Sequence, residues 1–380
     1  MAQFKSYRFV GTTGQNTTLL AALAAGSLAA ALATAPTAHG TTYNITGLGF
    51  LTGGSYSEAF GINATGQIAG VATTSPNVYH AFLYSGSTMQ DLGTLGGSSS
   101  YAKGINDLGQ IVGYAQNGSG NEHAFLYSGG TMHDLGTILG GTLSEATAIN
   151  NSGQVVGYSD TSSGSTHTFL YSGGTMSDLG TLGGPSSGPN GINDSGQVVG
   201  FSDTSSGSEH AFLYSGGTMQ DLGTLSGGTY SDAFGINDTG QIVGYAAVGR
   251  NAYHAFRYSG STMQDLGTLG GSSSGAYGIN DSGQIVGISF TRSGASHAFV
   301  YSGGRMHDLN SLIPAGSGWT LGAAAAINNL GDIVGYGYYS PQGQYEAVLL
   351  TPTTPEPASL ALMAVAGAGI LLLRKRRSRA

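Results

Sequence analysis

An Ile-Asn pair recurs with its Asn at positions 63, 106, 150, 193, 237, 280 and 328, so the successive spacings are 43, 44, 43, 44, 43 and 48 residues. Seven near-copies of so short a unit exclude most folds, because each copy is too small to bury its own apolar surface and must stack on its neighbours. Within one unit four segments appear. The first ends at Gly-Ile-Asn and the second is Gln-Ile-Val-Gly-Tyr; His-Ala-Phe-Leu-Tyr and Thr-Met-Gln-Asp-Leu-Gly follow.

Turn chemistry separates these segments. Asn-Asp-Ser-Gly suits a short hairpin loop whose Asn bonds back to the chain and whose Gly takes positive φ, while Gly129-Gly130 and Gly86-Ser87 suit two-residue primed turns. The segments are apolar on both faces, Phe82 and Tyr84 alternating with Ala81 and Leu83, so each sheet needs cover on both sides. Four-stranded antiparallel sheets stacked face to face at this period are the blades of a β-propeller, and the copy number predicts an all-β, seven-bladed one. A linear β-solenoid is the rival. The ends discriminate: a lone strand-like segment, Tyr43 to Leu51, precedes the first unit, and the last unit stops at Glu346 to Leu350 without its fourth strand. If residues 43–51 complete that blade, the ring closes and no sheet edge is left open. The expected organisation is a leader over 1–40, the propeller over 41–351 and a tail over 352–380.

Composition supports a Gly-rich β body. Although 67 residues are Gly and only 8% are charged, 40% are apolar, and 21 Tyr and 13 Phe are available to fill a core. There is no Cys, which excludes disulfides, thiolate metal sites and thiol nucleophiles. Seven of the 12 basic residues lie in the terminal segments, so between 41 and 350 there are 19 Asp or Glu against five Lys or Arg. That balance repels phosphate backbones and argues against nucleic-acid partners.

Both termini read as addresses. Lys5 and Arg8 precede an apolar run from Leu19 to Ala33 and small residues around Ala35 and Ala38, the order of a secretory signal peptide. At the other end Pro355, Glu356 and Pro357 precede an apolar stretch from Ala358 to Leu373, which stops at Arg374, Lys375, Arg376 and Arg377. At about 1.5 Å rise per residue this stretch covers roughly 24 Å of a hydrocarbon core about 30 Å thick, a short span. The basic cluster then stays cytoplasmic and everything before Pro355 lies outside. Pro-Glu-Pro, the short apolar helix and the arginine cluster together resemble the PEP-CTERM sorting signal. The resemblance implies an exosortase, a membrane transpeptidase-like enzyme of Gram-negative bacteria, as partner. It also implies transient inner-membrane anchoring and delivery to the cell surface or exterior. The repeat, with its His-Ala-Phe segments, resembles the HAF repeat, a family of extracellular repeats that brings no established activity.

One His in each of six units invites a metal-site reading, yet residues 43 apart fall on separate blades. Pairing around Gly86-Ser87 puts Phe82 opposite Asp91 and His80 diagonal to Asp91 on the same face. The expectation is one structural pair per blade: His80 with Asp91, His123 with Asp134, His167 with Asp178, His210 with Asp221, His254 with Asp265 and His297 with Asp308. The closing blade loses both partners together, with Glu346 at the His position and Gly47 at the Asp position. The Asn-Asp-x-Gly turns are similar to calcium loops, but Ala64, Asn151 and Asn329 replace Asp in three copies, and few carboxylates converge. No metal and no cofactor are expected.

No Gly-x-Ser-x-Gly elbow, phosphate loop or His-Glu-x-x-His occurs, so no catalytic residue is assigned. An enzyme on this scaffold needs polar residues that break the repeat and converge at one mouth of the channel. The off-pattern charges are Lys103, Glu122, Glu145, Glu209, Asp232, Arg250, Arg257 and Arg292, and Trp319, in the longest insertion, is the candidate carbohydrate-stacking platform. The expected function is a surface-sorted binding or structural module for polysaccharide or envelope protein, without enzymatic activity. An extracellular glycan hydrolase or lyase is the alternative.

Overall fold

A computed structural model describes residues 41–353 apart from 139, 250 and 251. The leader over 1–40, Arg250, and the tail motif with its apolar stretch and basic cluster lie outside the described residues. Among the described residues no helix is long and apolar enough to cross a membrane.

The described residues form seven four-stranded antiparallel sheets, the blades of an all-β propeller. Blade 1 sets the pattern, with Ser57–Ile62 innermost, then Ile68–Ser75, Val78–Ser85 and Thr88–Asp91 outermost. Blades 2 to 6 repeat it over 96–136, 144–178, 183–221, 231–265 and 270–308. Blade 7 takes Trp319–Ile327, Ile333–Tyr339 and Gln344–Pro352 from one end of the chain and its outer strand, Tyr43–Gly47, from the other. That strand runs antiparallel to Gln344–Pro352 with Ile45 opposite Leu350. The ring is closed, and the solenoid is excluded.

Local chemistry accounts for the strands. Gly86 and Ser87 take φ of 56° and 69°, the primed turn whose twist matches the flanking strands. In the Asn-rich hairpins Asn63 Oδ1 accepts from the Thr65 and Gln67 N–H groups at 3.1 and 2.9 Å. The Gly of Ile-Val-Gly-Tyr is needed because Gly70 stands opposite Phe82, where a Cβ would overlap both the Phe82 ring and the Glu58 carbonyl. The six Phe residues at this position, Phe82, Phe125, Phe169, Phe212, Phe256 and Phe299, are fully buried. Each contributes on the order of 2–3 kcal/mol by burial.

The apolar clusters lie between blades. Val199 and Ala211 of blade 4, for example, pack on Ile242 and Phe256 of blade 5. Every inner strand also carries an extra residue at an equivalent bulge, Phe60, Lys103, Thr147, Asn190, Phe234, Tyr277 or Ala325, where the ladder register shifts, and blade 7 has a second at Gly322. The residue after the equivalent bulge is small, Gly in five blades and Ala148 or Ala326 in two, because a Cβ stands close to the next blade: on Gly235 it would lie 3.1 Å from the Tyr277 carbonyl.

Candidate functional site

The inner strands all end at their Asn turns, so one mouth of the channel is ringed by Asn and the other by the strand beginnings. At the Asn mouth each carboxamide Nδ2 donates to the carbonyl of the next blade's Asn: Asn63 to Asn106, on through Asn150, Asn193, Asn237, Asn280 and Asn328, and back to Asn63, at 3.0–3.2 Å. Outside it, Asp or Asn side chains accept from the preceding blade's backbone, as when Ala64 N–H donates to Asp107 Oδ1 at 2.8 Å. The carboxylates of these turns are thus spent on neighbouring blades. Among the described residues no group of three or more His, Cys, Asp or Glu is placed to hold a metal ion.

The opposite mouth is where the copies differ. One inner-strand position reads Glu58, Tyr101, Glu145, Gly188, Asp232, Gly275 and Ala323 around the ring, and four of its cross-strand partners are Tyr114, Tyr158, Tyr245 and Tyr336. Tyr56 Oη donates to Glu58 Oε2 at 2.8 Å, and the Tyr158 hydroxyl hydrogen-bonds Glu145. Lys103, with its Nζ 4.4 Å from the Phe60 ring centroid, is within electrostatic reach of both acids.

Burial raises the Glu58 and Glu145 carboxyls, against the pull of their tyrosine hydrogen bonds and of the Lys103 charge. Burial lowers Lys103, against the same two acids. Tyr277 of blade 6 is pushed up to about 12 by burial and by Tyr336, Asp232 and Glu58, groups on blades 7, 5 and 1. These side chains therefore act on one another across blades.

A second cluster occupies blade 5. Asp232 is 5% exposed, and its Oδ1 accepts from Asn190 Nδ2 at 2.9 Å. Burial and the nearby Glu209 carboxylate push it well above the usual range. The Tyr230, Tyr245 and Tyr253 rings pack against one another with centroids 5.7–5.8 Å apart. A third group gathers Tyr336, Tyr338 and Tyr345 of blade 7.

Each His of the six repeats lies against its Asp, Nδ1 to Oδ2 at 2.7–2.9 Å. In five of them the other carboxylate oxygen accepts a Gly N–H two residues on, as from Gly93 to Asp91 at 2.8 Å; at Asp308 it accepts from Asn310 instead. In blade 7, Glu346 reaches into the space the Asp would fill and accepts the Gly49 N–H at 2.6 Å. A Cβ on Gly47 would meet that carboxylate. Trp319 lies at this seam, half-buried and stacked on Tyr339 with centroids 4.7 Å apart.

Of the off-pattern charges, Lys103, Glu145 and Glu122 come together, as do Glu209 and Asp232. Arg257 faces the Asn side and Arg292 an outer loop. Glu58 and the tyrosines escaped the sequence reading, though the signal was there: they occupy positions at which the copies disagree.

The PEP-CTERM protein-sorting motif matches residues 353–377, so the chain carries a C-terminal signal for exosortase recognition, export and membrane-associated sorting. A search of curated proteins finds no match. Among solved structures, the β-propeller domain of the Trilobed protease from Pyrococcus furiosus is 11% identical with a TM-score of 0.51, covering 80% of this chain and 99% of that one. TolB from Acinetobacter baumannii is 13% identical with a TM-score of 0.45, covering 76% and 63%. AofleA from Arthrobotrys oligospora is 10% identical with a TM-score of 0.40, covering 70% and 89%. At such identities the likeness is one of fold alone. The Pyrococcus domain has an open velcro topology, whereas here the two chain ends share a blade.

Proposed function

We propose that this protein is an exported propeller, sorted by an exosortase through its tail to the Gram-negative cell surface, that binds polysaccharide at the channel mouth opposite the Asn ring. Transient inner-membrane anchoring by the tail belongs to the same reading, and so does membership of the repeat in the HAF family. One observation carries it: in otherwise near-identical copies, Tyr and carboxyl side chains gather at the positions that vary. Tyrosine faces stack on sugar C–H surfaces while carboxylates accept from sugar hydroxyls. Tyr253, Tyr338 and Tyr345, on this face, are 40%, 37% and 50% exposed.

The reading is of a binding face and not a catalytic one. The deepest acid, Asp232, is buried and held by Asn190, a poor position for protonating a glycosidic oxygen. The test is binding of the purified protein to surface polysaccharide isolated from the producing cells, with Tyr253→Ala and Tyr345→Ala. We expect saturable binding, weakened at least tenfold in the double variant, and no new reducing ends. Binding confined to envelope protein overturns the polysaccharide assignment, and release of reducing ends establishes the hydrolase instead.

A further inference from the structure

One position of the third strand is apolar in six blades: Leu83, Leu126, Leu170, Leu213, Val300 and Leu349. Each of these packs into an interblade cluster. In blade 5 the residue is Arg257, and the cluster between blades 5 and 6 has no counterpart to those side chains. Above it lies a cavity of about 410 Å³ on the Asn side, lined by Arg257, Thr239, Gln241, Asp281, Ser282 and Tyr301. That volume is in the range of small-molecule sites, about 300–1,000 Å³.

An arginine in place of a packing leucine forfeits burial and sets a half-exposed charge on the cavity wall. The Arg257 guanidinium donates to Gln264 Oε1 at 2.8 Å, which orients the fork, and among the described residues it forms no ion pair. Asp281, across the cavity, is committed elsewhere: Oδ1 accepts from Asp238 N–H and Oδ2 from Asn329 Nδ2. Other wall groups are left half-used. Thr239 and Ser282 donate their hydroxyls to Asn237 and Asn280 and keep acceptor lone pairs, whereas Gln241 accepts through Oε1 and keeps its amide donors.

We infer that this cavity binds a carboxylate-bearing sugar unit, a uronate, with its carboxylate on the Arg257 fork and its hydroxyls on Thr239, Ser282 and Gln241. A planar guanidinium matches a carboxylate in two parallel bonds. The Asp281 charge on the facing wall disfavours a doubly charged phosphate or sulfate, and the acidic propeller disfavours a dense polyanion. The site adds to the channel-mouth reading and lies on the other face, so either can fail alone.

The experiment is calorimetric titration of the purified full-length protein with trigalacturonate, galactotriose and inorganic phosphate. Trigalacturonate binds, galactotriose binds at least tenfold more weakly, and phosphate does not compete. Arg257→Leu restores the residue of five other blades and folds, yet weakens trigalacturonate at least tenfold; Arg257→Lys keeps the charge, loses the fork and falls between. Tyr253→Ala leaves this titration unchanged. Equal binding by galactotriose, displacement by phosphate, or undiminished binding by Arg257→Leu overturns the assignment. If trigalacturonate binding is lost in Tyr253→Ala but kept in Arg257→Leu, the uronate belongs to the channel mouth.

Discussion

Asn328 Nδ2 donates to the Asn63 carbonyl at 3.2 Å, joining residues 265 apart and completing a ring of seven such bonds around the channel. Closure at the rim is separate: Tyr43–Gly47 pairs with Gln344–Pro352, and Glu346 holds the Gly49 N–H. The ring is thus fastened at two radii. The outer fastening extends to the first residue of the sorting motif, since Thr353 N–H donates to the Thr42 carbonyl at 2.8 Å.

The inner ring sets the first expectation. Asn193 is buried and bonds both its own turn and the Asn237 carbonyl. Asn193→Ala leaves the part-buried Gln197 N–H unpaired and removes the bond to the Asn237 carbonyl, which keeps only the Gly240 N–H, and costs about 1–3 kcal/mol in urea unfolding. Asp194→Ala, on the exposed outer ring, costs less than about 1 kcal/mol. Equal losses would show that the ring carries no special share of closure.

Ala64 interrupts the outer ring, because the copy it occupies has no side-chain acceptor for the Asn329 N–H of blade 7. Ala64→Asp supplies one and stabilises by about 0.5–1.5 kcal/mol, a rise of roughly 1–4 °C in calorimetric Tm. No rise, or a fall, refutes it.

The His-Asp pairs are half-exposed, so their coupling is modest. A cycle of His210→Ala, Asp221→Ala and the double variant gives a coupling of about 0.3–1 kcal/mol. Asp221→Ala alone costs more than His210→Ala, because Asp221 also accepts the Gly223 N–H at 2.7 Å. Strict additivity would dissolve the pair.

Asp232 makes stability depend on pH. Its carboxyl is raised by burial and by Glu209, so the folded protein holds a proton that the unfolded chain releases near pH 4. Its contribution is intact below that pH and is lost as pH rises through the higher folded value. Asp232→Asn removes the loss. The variant matches the parent in denaturation near pH 3 and exceeds it near pH 8, and parallel profiles would contradict the assignment.

Blade number, strand order, hairpin turns and the shared last blade were legible from residues alone. They rest on short-range rules: a fixed period, alternation of side chains, glycines at positive φ, and an unpaired strand at one end matching a gap at the other. The His80–Asp91 approach was legible for the same reason, since both residues belong to one hairpin.

Tertiary structure decided what equivalent positions on different blades do to one another. The turn Asn reads in sequence as a local cap, and only the radius of the ring brings its carboxamide to the carbonyl of a residue 43 further on. Glu58, Lys103 and Glu145 are likewise remote along the chain and meet because seven inner strands face one channel. Arg257 stands at a cavity that only the packing of blades 5 and 6 creates. Local bonding is written in neighbouring residues, while contact across blades depends on how far each twisted sheet turns relative to the next, a quantity set by the packing of the whole ring.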